Sequence, residues 1–514
     1  MKKNIVVLSA LFSLIASAID AVAASASDSV SFGNRIMYEI FMRSFADSDG
    51  DGIGDINGII SKLDYLDELG IEGLWLTPFN KATSYHKYDV EDYYMIDPEY
   101  GTMDDFKRLV KEAHKRDIKI LMDLVVNHCS SKHPWFVSAC MDTASSYRDW
   151  FVWSARENIK SEPDHWHDIA GSDTSSKDYE KYYGFFWSGM PDFNFDNPLV
   201  RAEMKKIGKF WLKDCGVDGF RLDAAQHIYP DDSHDKSQAW WREFRKEMET
   251  VKPDFFMVGE VVNKGQVVAP YLEDAMHSAF NFELASAILK AINTGKDEGL
   301  VQRLIDTRTS YYSFSKSYID ATFVTNHDQD RIMSQLGDKL PRAQLAFAIL
   351  MTLPGSPYLY YGEEIGMKGK KPDELIREPF PWSYAENDKT TTFWEKPVYT
   401  VQGSVPDLAS QVDSKKSLYT SYKSLLALRK RERALYDSEI YPYKKVDDRF
   451  IAFFRELKGE KPLLVIHNLS ANSADFNFDK GIKIAEVVYG NPELMTENKS
   501  IKIDPYGSVV LRLD

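Results

Sequence analysis

The sequence predicts an α/β fold built on a closed (β/α)8 TIM barrel, with a domain inserted after strand 3 and an antiparallel β domain at the C-terminus. From residue 35 to about residue 430, short β-rich apolar runs alternate with longer helical patterns, which indicates a parallel sheet. Eight such runs follow one another in a single series, which favours a closed barrel over an open sheet. The 514 residues, 44% of them hydrophobic and 27% charged, are sufficient to bury a large core.

The eight strand candidates are apolar runs bounded by polar or turn residues. They are Ile36–Phe45, Gly73–Pro78, Ile118–Val126, Gly219–Ala225, Phe255–Val261, Ala279–Phe282, Ala321–Asn326 and Ser356–Tyr361. Helical patterns fill the gaps between them. Thr102–Arg116 begins at a threonine cap followed by acidic residues, and Lys416–Arg433 ends in a basic cluster; both features are typical of helix termini.

The N-terminus has the pattern of a secretory signal peptide. Lys2 and Lys3 precede an apolar run, Ile5–Ile19, and the small residues Ala21–Ala23 follow it. We expect residues 1–23 to be removed near Ala23. A membrane anchor would need roughly 20 apolar residues and no cleavage site, and no later stretch is apolar and long enough to span a bilayer. The sequence therefore predicts a secreted or periplasmic protein with no membrane span.

Two interruptions of the alternation predict further domains. About 90 residues separate the third strand candidate from the fourth, and a loop of that length at the C-terminal face of a barrel is usually an inserted domain. After about residue 434 the pattern changes to short alternating strands, which are Arg449–Leu457, Pro462–Asn468, Ile482–Val488, Ser500–Ile503 and Ser508–Leu513. We therefore expect a catalytic barrel over 33–128 and 199–434, an inserted domain over 129–198 and a C-terminal β-sandwich over 435–514.

Charge and cysteine content exclude several function classes. The formal net charge is −15, so nucleic acid and anionic membrane surfaces would be repelled and a neutral or cationic partner is favoured. The three cysteines, Cys129, Cys140 and Cys215, are too few for a disulfide framework and too scattered for a zinc site. We expect three buried thiols, although a Cys129–Cys140 disulfide stays open, and we expect a monomer.

Polar motifs follow four of the barrel strands where their C-terminal ends are expected. The motifs are Asp123-Leu-Val-Val-Asn-His128, Gly219-Phe-Arg-Leu-Asp223, Gly259-Glu260 and Asn326-His-Asp328. Barrel enzymes carry out their chemistry at that face. Four coincident clusters of ionisable residues therefore predict an active site rather than isolated structural acids.

The carboxylates among these motifs suit the cleavage of a glycosidic bond. That reaction needs one carboxylate as nucleophile and a protonated one as general acid. Arg221 precedes Asp223 by two residues, which places both side chains on one face of a strand and should keep Asp223 ionised as the nucleophile. Crowding by other carboxylates should keep Glu260 protonated as the acid/base. Asp328 would bind sugar hydroxyls and stabilise the oxocarbenium-like transition state.

The order and spacing of these motifs resemble glycoside hydrolase family 13, the α-amylase family, over almost the entire mature chain. The resemblance implies a retaining mechanism on α-linked glucans, with Asp223 as nucleophile, Glu260 as acid/base and Asp328 as stabiliser. The substrate-binding residues that it implies are Tyr88, His128, Arg221, His227 and His327. The family also includes non-enzymatic partners of transporters, but those have lost the catalytic carboxylates that this chain keeps.

Motifs that vary within this family indicate which subgroup the chain resembles. Met190-Pro-Asp-Phe-Asn194 is intermediate between the oligo-1,6-glucosidase and neopullulanase forms, whereas Asp223-Ala-Ala-Gln-His227 resembles the α-amylase form with Gln226 in place of the usual lysine. We expect an α-amylase acting on α-1,4 bonds in starch, glycogen or maltodextrins. An α-glucosidase or oligo-1,6-glucosidase, a neopullulanase-like enzyme and an α-glucan transglycosylase stay open as alternatives of the same chemistry.

An acidic loop follows the first strand candidate and predicts a structural Ca²⁺ site. Its oxygen-bearing residues stand at alternate positions around glycine-allowed turns, a pattern that suits Ca²⁺. The twelfth position of an EF-hand would be Gly58 instead of Glu, and the resemblance implies a different Ca²⁺ loop at this place. The candidate ligands are Asp47, Asp49, Asp51, Ile53 and Asp55. A solvated acidic turn is the alternative. The pair His165 and His167 lacks matching carboxylates, so we favour a surface or sugar-contact role over a metal site.

Overall fold

A computed structural model describes residues 32–159, 163–171, 174, 179–230, 233–444, 447–495 and 499–514. Eight parallel strands close into a barrel, which confirms the predicted fold. The barrel strands are Met37–Ile40, Gly73–Leu76, Lys119–Leu124, Gly219–Leu222, Phe256–Gly259, Ser278–Phe280, Ile319–Thr322 and Ser356–Tyr360. The expected signal peptide lies outside the described residues.

Most strands end earlier than the sequence predicts. The first strand stops at Ile40, and Met42–Phe45 forms a helical turn instead of extending it. Phe41 and Phe45 are buried in the loops above the barrel, among aromatic residues of later segments. Because both residues are apolar, the sequence pattern predicted a strand longer than the hydrogen-bonded one in the structure.

Helices surround the barrel. The longer ones are Met103–His114, Pro198–Lys209, His234–Glu249, Phe282–Thr294, Leu300–Phe314, Leu340–Thr352 and Leu418–Arg431. The shorter ones are Ile56–Ser61, Leu63–Leu69, Gly265–Val268, Ile332–Gln335, Asp373–Ile376 and Leu408–Val412. Thr102 caps the first long helix, as the sequence indicated, and the structure adds a reciprocal capping box with Asp105.

Two additions to the barrel border its C-terminal face. A hairpin of Asn80–Ala82 and Val90–Ile96 follows the second strand, and the sequence did not predict it. The domain inserted after the third strand contains the helix Pro134–Met141 and a three-stranded antiparallel sheet of Trp153–Ala155, Glu180–Tyr183 and Trp166–Asp168.

The C-terminal part is a pair of antiparallel sheets. The larger sheet contains Glu439–Pro442, Phe450–Glu456, Leu463–Asn468, Ser508–Leu513 and Ile484–Tyr489. The smaller sheet contains Ala474–Asn477, Ser500–Ile503 and Glu493–Met495. Phe450, Leu464, Phe476 and Ile501 lie in a hydrophobic cluster between the sheets. The antiparallel β domain is confirmed, with three short strands that the sequence analysis missed.

The barrel interior is closed at its N-terminal end by aromatic packing. Phe32 stacks on Phe256, with ring centroids 4.8 Å apart, and Trp75 lies deeper in the same cluster. None of the described helices is both long and apolar enough to cross a membrane. Among the cysteines, Cys129 and Cys215 are buried free thiols, whereas Cys140 is a half-buried free thiol rather than the buried one that we expected.

Candidate active site

Arg221 lies at the centre of the polar cluster at the C-terminal ends of the strands. One of its guanidinium nitrogens, Nη1, lies 2.6 Å from Asp223 Oδ1 and 2.8 Å from Asp123 Oδ1. The other, Nη2, lies 2.9 Å from Glu260 Oε1. The geometry follows from the sheet, because Arg221 pairs in register with Asp123 on the third strand and with Val258 on the fifth. Three carboxylates thus share one cation.

This sharing weakens the expectation that Arg221 keeps Asp223 ionised. Burial raises the pKa of the Asp223 carboxyl well above its ordinary value; Arg221 lowers it, while Glu260 and Asp123 raise it further. The sequence analysis counted one carboxylate beside the guanidinium, whereas the structure has three. Groups in such contact release their protons in coupled steps, so the buried cluster favours keeping a proton rather than full ionisation.

Glu260 is held by a second contact. Its Oε2 accepts a hydrogen bond from the backbone N–H of Ala224, at 3.0 Å. The carboxyl therefore bridges Arg221 and the backbone that follows Asp223. Glu260 is half-buried, whereas Asp223 is buried. The two carboxyls are brought together, as the sequence predicted, on adjacent strands.

Tyr88 connects the carboxylate cluster to the second histidine motif. Its hydroxyl donates to Asp123 Oδ2 at 3.0 Å and lies 2.7 Å from His327 Nε2. Its ring stacks on the His327 ring, with centroids 5.5 Å apart. Trp75 Nε1 donates to the same Asp123 oxygen. Tyr88 therefore lies beside the cluster, as the resemblance implied.

His327 lies between two acids. Its Nδ1 is 2.5 Å from Glu39 Oε1, and its Nε2 is 3.2 Å from Asp328 Oδ2. Burial lowers the pKa of His327, but Asp328 and Glu39 outweigh burial and raise it above its ordinary value. A charged imidazolium can donate to both acids, which suits this arrangement.

Asp328 is fixed by two cations. Arg377 Nη2 lies 2.9 Å from its Oδ1 on the side opposite His327, and Arg377 also donates to the His327 carbonyl. Loss of hydration raises the pKa of Asp328, but His327 and Arg377 lower it below its ordinary value. Asp328 is thus held ionised while part of its side chain stays open to solvent.

His128 and His227 lie against aromatic residues of the inserted domain. The His128 ring is 5.1 Å from the ring of Phe186, and the His227 ring is 3.9 Å from that of Phe185. Burial lowers the pKa of His128 to about 3, so this side chain is neutral. Its Nε2 is buried and has no hydrogen-bond partner among the described residues.

Lys87 holds the loop that presents Tyr88. Its backbone has φ of 63°, a left-handed conformation that non-glycine residues rarely adopt. Its buried ammonium lies 2.8 Å from Asp97 Oδ2 and 2.7 Å from Glu99 Oε2. Because Tyr88 is the next residue, this anchor fixes the backbone position from which the Tyr88 side chain extends.

The acidic loop brings three of its predicted ligands together. One carboxylate oxygen each from Asp47, Asp49 and Asp55 lies within 4.8 Å of the others. The Asp51 carboxylate is outside this set and accepts from the Ile53 N–H at 2.7 Å. Gly50 and Gly52 have φ of 89° and 92°, so both turns require the left-handed region that glycine adopts freely. Three convergent carboxylates fit a hard cation such as Ca²⁺.

Sequence reasoning missed several residues of the site. Asp123 was quoted within its motif, but its contact with Arg221 depends on sheet register. Glu39 was hidden inside the first strand. Arg377 lies in the long segment after the eighth strand, where no periodic pattern marks it. No feature of the sequence around Lys87 indicated its left-handed backbone conformation.

Comparison with known proteins shows the family to which the chain belongs. Residues 39–438 match the family model described as the alpha amylase catalytic domain, and residues 450–510 match the alpha-amylase SusG C-terminal domain. The chain is 45% identical to Alpha-amylase 3 of Dictyoglomus thermophilum, over 94% of each chain. It is 31% identical to an oligo-1,6-glucosidase of Parageobacillus thermoglucosidasius, over 93% of this chain and 98% of the relative. Among solved structures, an alpha-amylase from H. orenii superposes with a TM-score of 0.84 at 40% identity, covering 94% of this chain and 100% of that one.

Proposed function

Because the chain belongs to the α-amylase family of glycoside hydrolases, we propose that it cleaves α-1,4-glucosidic bonds in starch, glycogen or maltodextrins by a retaining mechanism. The observation that carries this proposal is the single guanidinium of Arg221, which holds Asp223 and Glu260 on adjacent strands. Retaining enzymes need their two carboxyls close together, roughly 5 Å apart, because one of them attacks the sugar directly.

Asp223 is the nucleophile in this proposal. It makes the shortest contact with Arg221, whose charge favours the carboxylate form against the effect of burial, and this carboxylate attacks the anomeric carbon. Glu260 donates a proton to the leaving oxygen as the glycosidic bond breaks. In the second step, Glu260 takes a proton from the incoming water, and Asp223 leaves the anomeric carbon.

Asp328 stabilises the positive charge that develops on the sugar ring. Its pKa is lowered by His327 and Arg377, so it stays ionised during the reaction. Tyr88 and His327 border the same cluster, and the unpartnered Nε2 of His128 supplies one further contact for a sugar hydroxyl. His227 extends this surface toward the leaving group.

The named relatives bear on the preferred linkage. The 45% identity to a protein named Alpha-amylase 3 supports action on α-1,4 bonds. The intermediate Met190 motif and the similarity to an oligo-1,6-glucosidase keep α-1,6 activity as a second candidate. Hydrolysis and transglycosylation share every step up to the acceptor, so product analysis distinguishes them.

We propose a structural Ca²⁺ in the acidic loop. Asp47, Asp49 and Asp55 would hold it, with Asp51 and Ile53 completing the set through further oxygens. Burial raises the pKa of Asp55 despite several hydrogen bonds, and a bound cation would offset that cost. The ion would stabilise the loop and supply no catalytic group, since the loop carries none of the three catalytic carboxylates.

Export and domain boundaries complete the proposal. The lysine-led apolar N-terminus supports removal of residues 1–23 and a secreted or periplasmic location. The barrel over 33–128 and 199–434, the inserted domain over 129–198 and the sandwich over 435–514 are the expected units. A monomer acting on a neutral glucan agrees with the acidic net charge.

A product time course on amylose, maltotriose, pullulan and panose tests the function. We expect amylose and maltotriose to be consumed first, because both contain only α-1,4 bonds. Asp223→Asn serves as the matched inactive protein, and turnover within about tenfold of the wild type would refute its role. Faster cleavage of panose than of amylose would instead support the α-1,6 candidate.

A further inference from the structure

The inserted domain presents two consecutive exposed aromatic residues beside the cleft. Phe186 and Trp187 are 48% and 52% exposed. Phe186 faces the cleft, because its ring lies near His128 and His227. Trp187 is the next residue, and it lines a groove of about 500 Å³ on the inserted domain. No part of the proposed catalytic site accounts for this exposed indole.

Gly189 leaves room for the Trp187 ring to pack against the backbone. A Cβ at Gly189 would lie 2.1 Å from Cζ2 and 2.3 Å from Cη2 of the indole, so only glycine allows this close approach. Gly189 is not among the glycines with positive φ, so close approach of the ring rather than backbone conformation calls for glycine here. The backbone of Gly189 thus supports the ring on one side, while about half of the side chain stays exposed.

The segment that carries Trp187 is rigidly held. His165 Nδ1 lies 2.6 Å from the Phe185 carbonyl oxygen, and His167 Nε2 lies 2.9 Å from that of Gly184. Tyr182 donates to the Ser188 carbonyl at 2.6 Å. The two histidines therefore orient backbone rather than bind a metal. A fixed aromatic surface loses little conformational entropy when a ligand stacks on it.

Paired backbone segments join the groove to the part of the cleft that contains His128. Asp192 pairs with His128, and Ser131 N donates to the Gly189 carbonyl at 2.8 Å. Gly189 is three residues from Asp192, which is roughly 10 Å along an extended chain. The indole is therefore within reach of a polymer whose neighbouring units occupy the cleft.

The lining of the groove is chemically complementary to a sugar ring. Its apolar walls include Val137, Met141 and Ile169, and its polar groups include Ser131, Asp168 and Ser188. Flat apolar rings with polar edges suit the apolar faces and hydroxyl rims of glucose. The net charge of −15 disfavours an anionic partner, whereas a neutral glucan is not repelled.

We propose that Trp187 is a stacking platform for a glucose ring of an α-glucan chain that extends beyond the cleavage site. This assignment rests on the proposed function, because it takes the same polymer as ligand. The platform adds affinity for long chains and contributes nothing to bond cleavage. A substrate too short to reach Trp187 gains nothing from it.

The test compares long and short substrates in three variants. Trp187→Ala removes the platform, Gly189→Ala displaces the ring, and Tyr441→Ala is the control, since Tyr441 is 46% exposed on a strand of the C-terminal sandwich. We expect the ratio of kcat/KM on amylose to kcat/KM on maltotriose to fall about tenfold in Trp187→Ala. A smaller fall is expected in Gly189→Ala and none in the control.

A binding measurement separates this inference from the proposed function. In an Asp223→Asn background, retardation in native gels containing amylopectin should weaken when Trp187→Ala is added. If the wild type cleaves neither substrate, the proposed function fails, while the gel still tests the platform. An unchanged ratio together with unchanged retardation would overturn the platform. A change in sedimentation without either effect would assign Trp187 to contact with a second copy, which would also overturn it.

Discussion

Lys87 should determine how precisely Tyr88 is held at the carboxylate cluster. Its ammonium is buried between Asp97 and Glu99, and its backbone occupies the left-handed region. Lys87→Met removes the charge and keeps most of the side-chain length. Lys87→Gly also removes the side chain but suits the observed φ of 63°.

The two variants should differ in stability through the backbone conformation and through the packing of the side chain. Removing one partner of a buried ion pair costs about 3–5 kcal/mol, and the partial exposure of Glu99 favours the lower end for Lys87→Met. Glycine recovers about 1 kcal/mol because it adopts the left-handed conformation without a side-chain clash. Glycine also removes buried methylenes worth about 0.8 kcal/mol each and leaves a cavity, so Lys87→Gly should still be more destabilised than Lys87→Met, which thermal unfolding measures.

The effect on turnover should act through Tyr88. A misplacement of about 1 Å near the reacting centre can cost roughly 100-fold in rate, so we expect a loss of that order in Lys87→Met. The assay is a double-mutant cycle with Tyr88→Phe, in which the second substitution should add little to the first. Lys252→Met is the matched control, because its ammonium lies 3.0 Å from buried Asp218 at the opposite end of the barrel. Additive losses in the cycle, or equal losses in Lys87→Met and Lys252→Met, would refute the reasoning.

Three other predictions follow from the site. Glu260→Gln should lower turnover about 10²- to 10⁴-fold and be rescued on a glucosyl fluoride, whose leaving group needs no proton; absence of rescue would remove Glu260 as the acid. Excess chelator should lower the melting temperature with little change in turnover at moderate temperature, and Asp51→Ala should do the same; an unmoved melting curve with no bound calcium by elemental analysis would leave only an acidic turn. The raised pKa of His327 contributes stability that is complete below its ordinary value of 6.5 and is lost as pH rises through the folded value. His327→Gln should lack that loss in melting curves across pH, and identical profiles would contradict the assignment.

The barrel could be predicted because its strands are short apolar runs with abrupt polar ends. Asp223 and Glu260 follow Leu222 and Gly259 directly, so the position of each strand also located its catalytic candidate. The same reasoning made the predicted first strand too long, because Phe41 and Phe45 are apolar but do not belong to the strand. They pack in the loops above the barrel, and composition alone does not separate the two cases.

The contacts that tune the site could not be predicted, because they join distant parts of the chain. Arg377 reaches Asp328 from a loop 49 residues away. Arg221 contacts Glu260 and Asp123 only because three strands stand in a particular register. A single sequence carries no periodic signal for either relation. The protonation of Asp223 was therefore judged from one neighbour when three acted on it.

The anomeric configuration of the first product tests the central claim most directly. Attack by Asp223 and then by water inverts the anomeric carbon twice, so the freshly released sugar should have the α configuration. Proton NMR of amylose hydrolysis, recorded before mutarotation, measures this. Initial α-anomer is the result that the account predicts. Initial β-anomer would contradict the double displacement and would require a water molecule between Asp223 and Glu260.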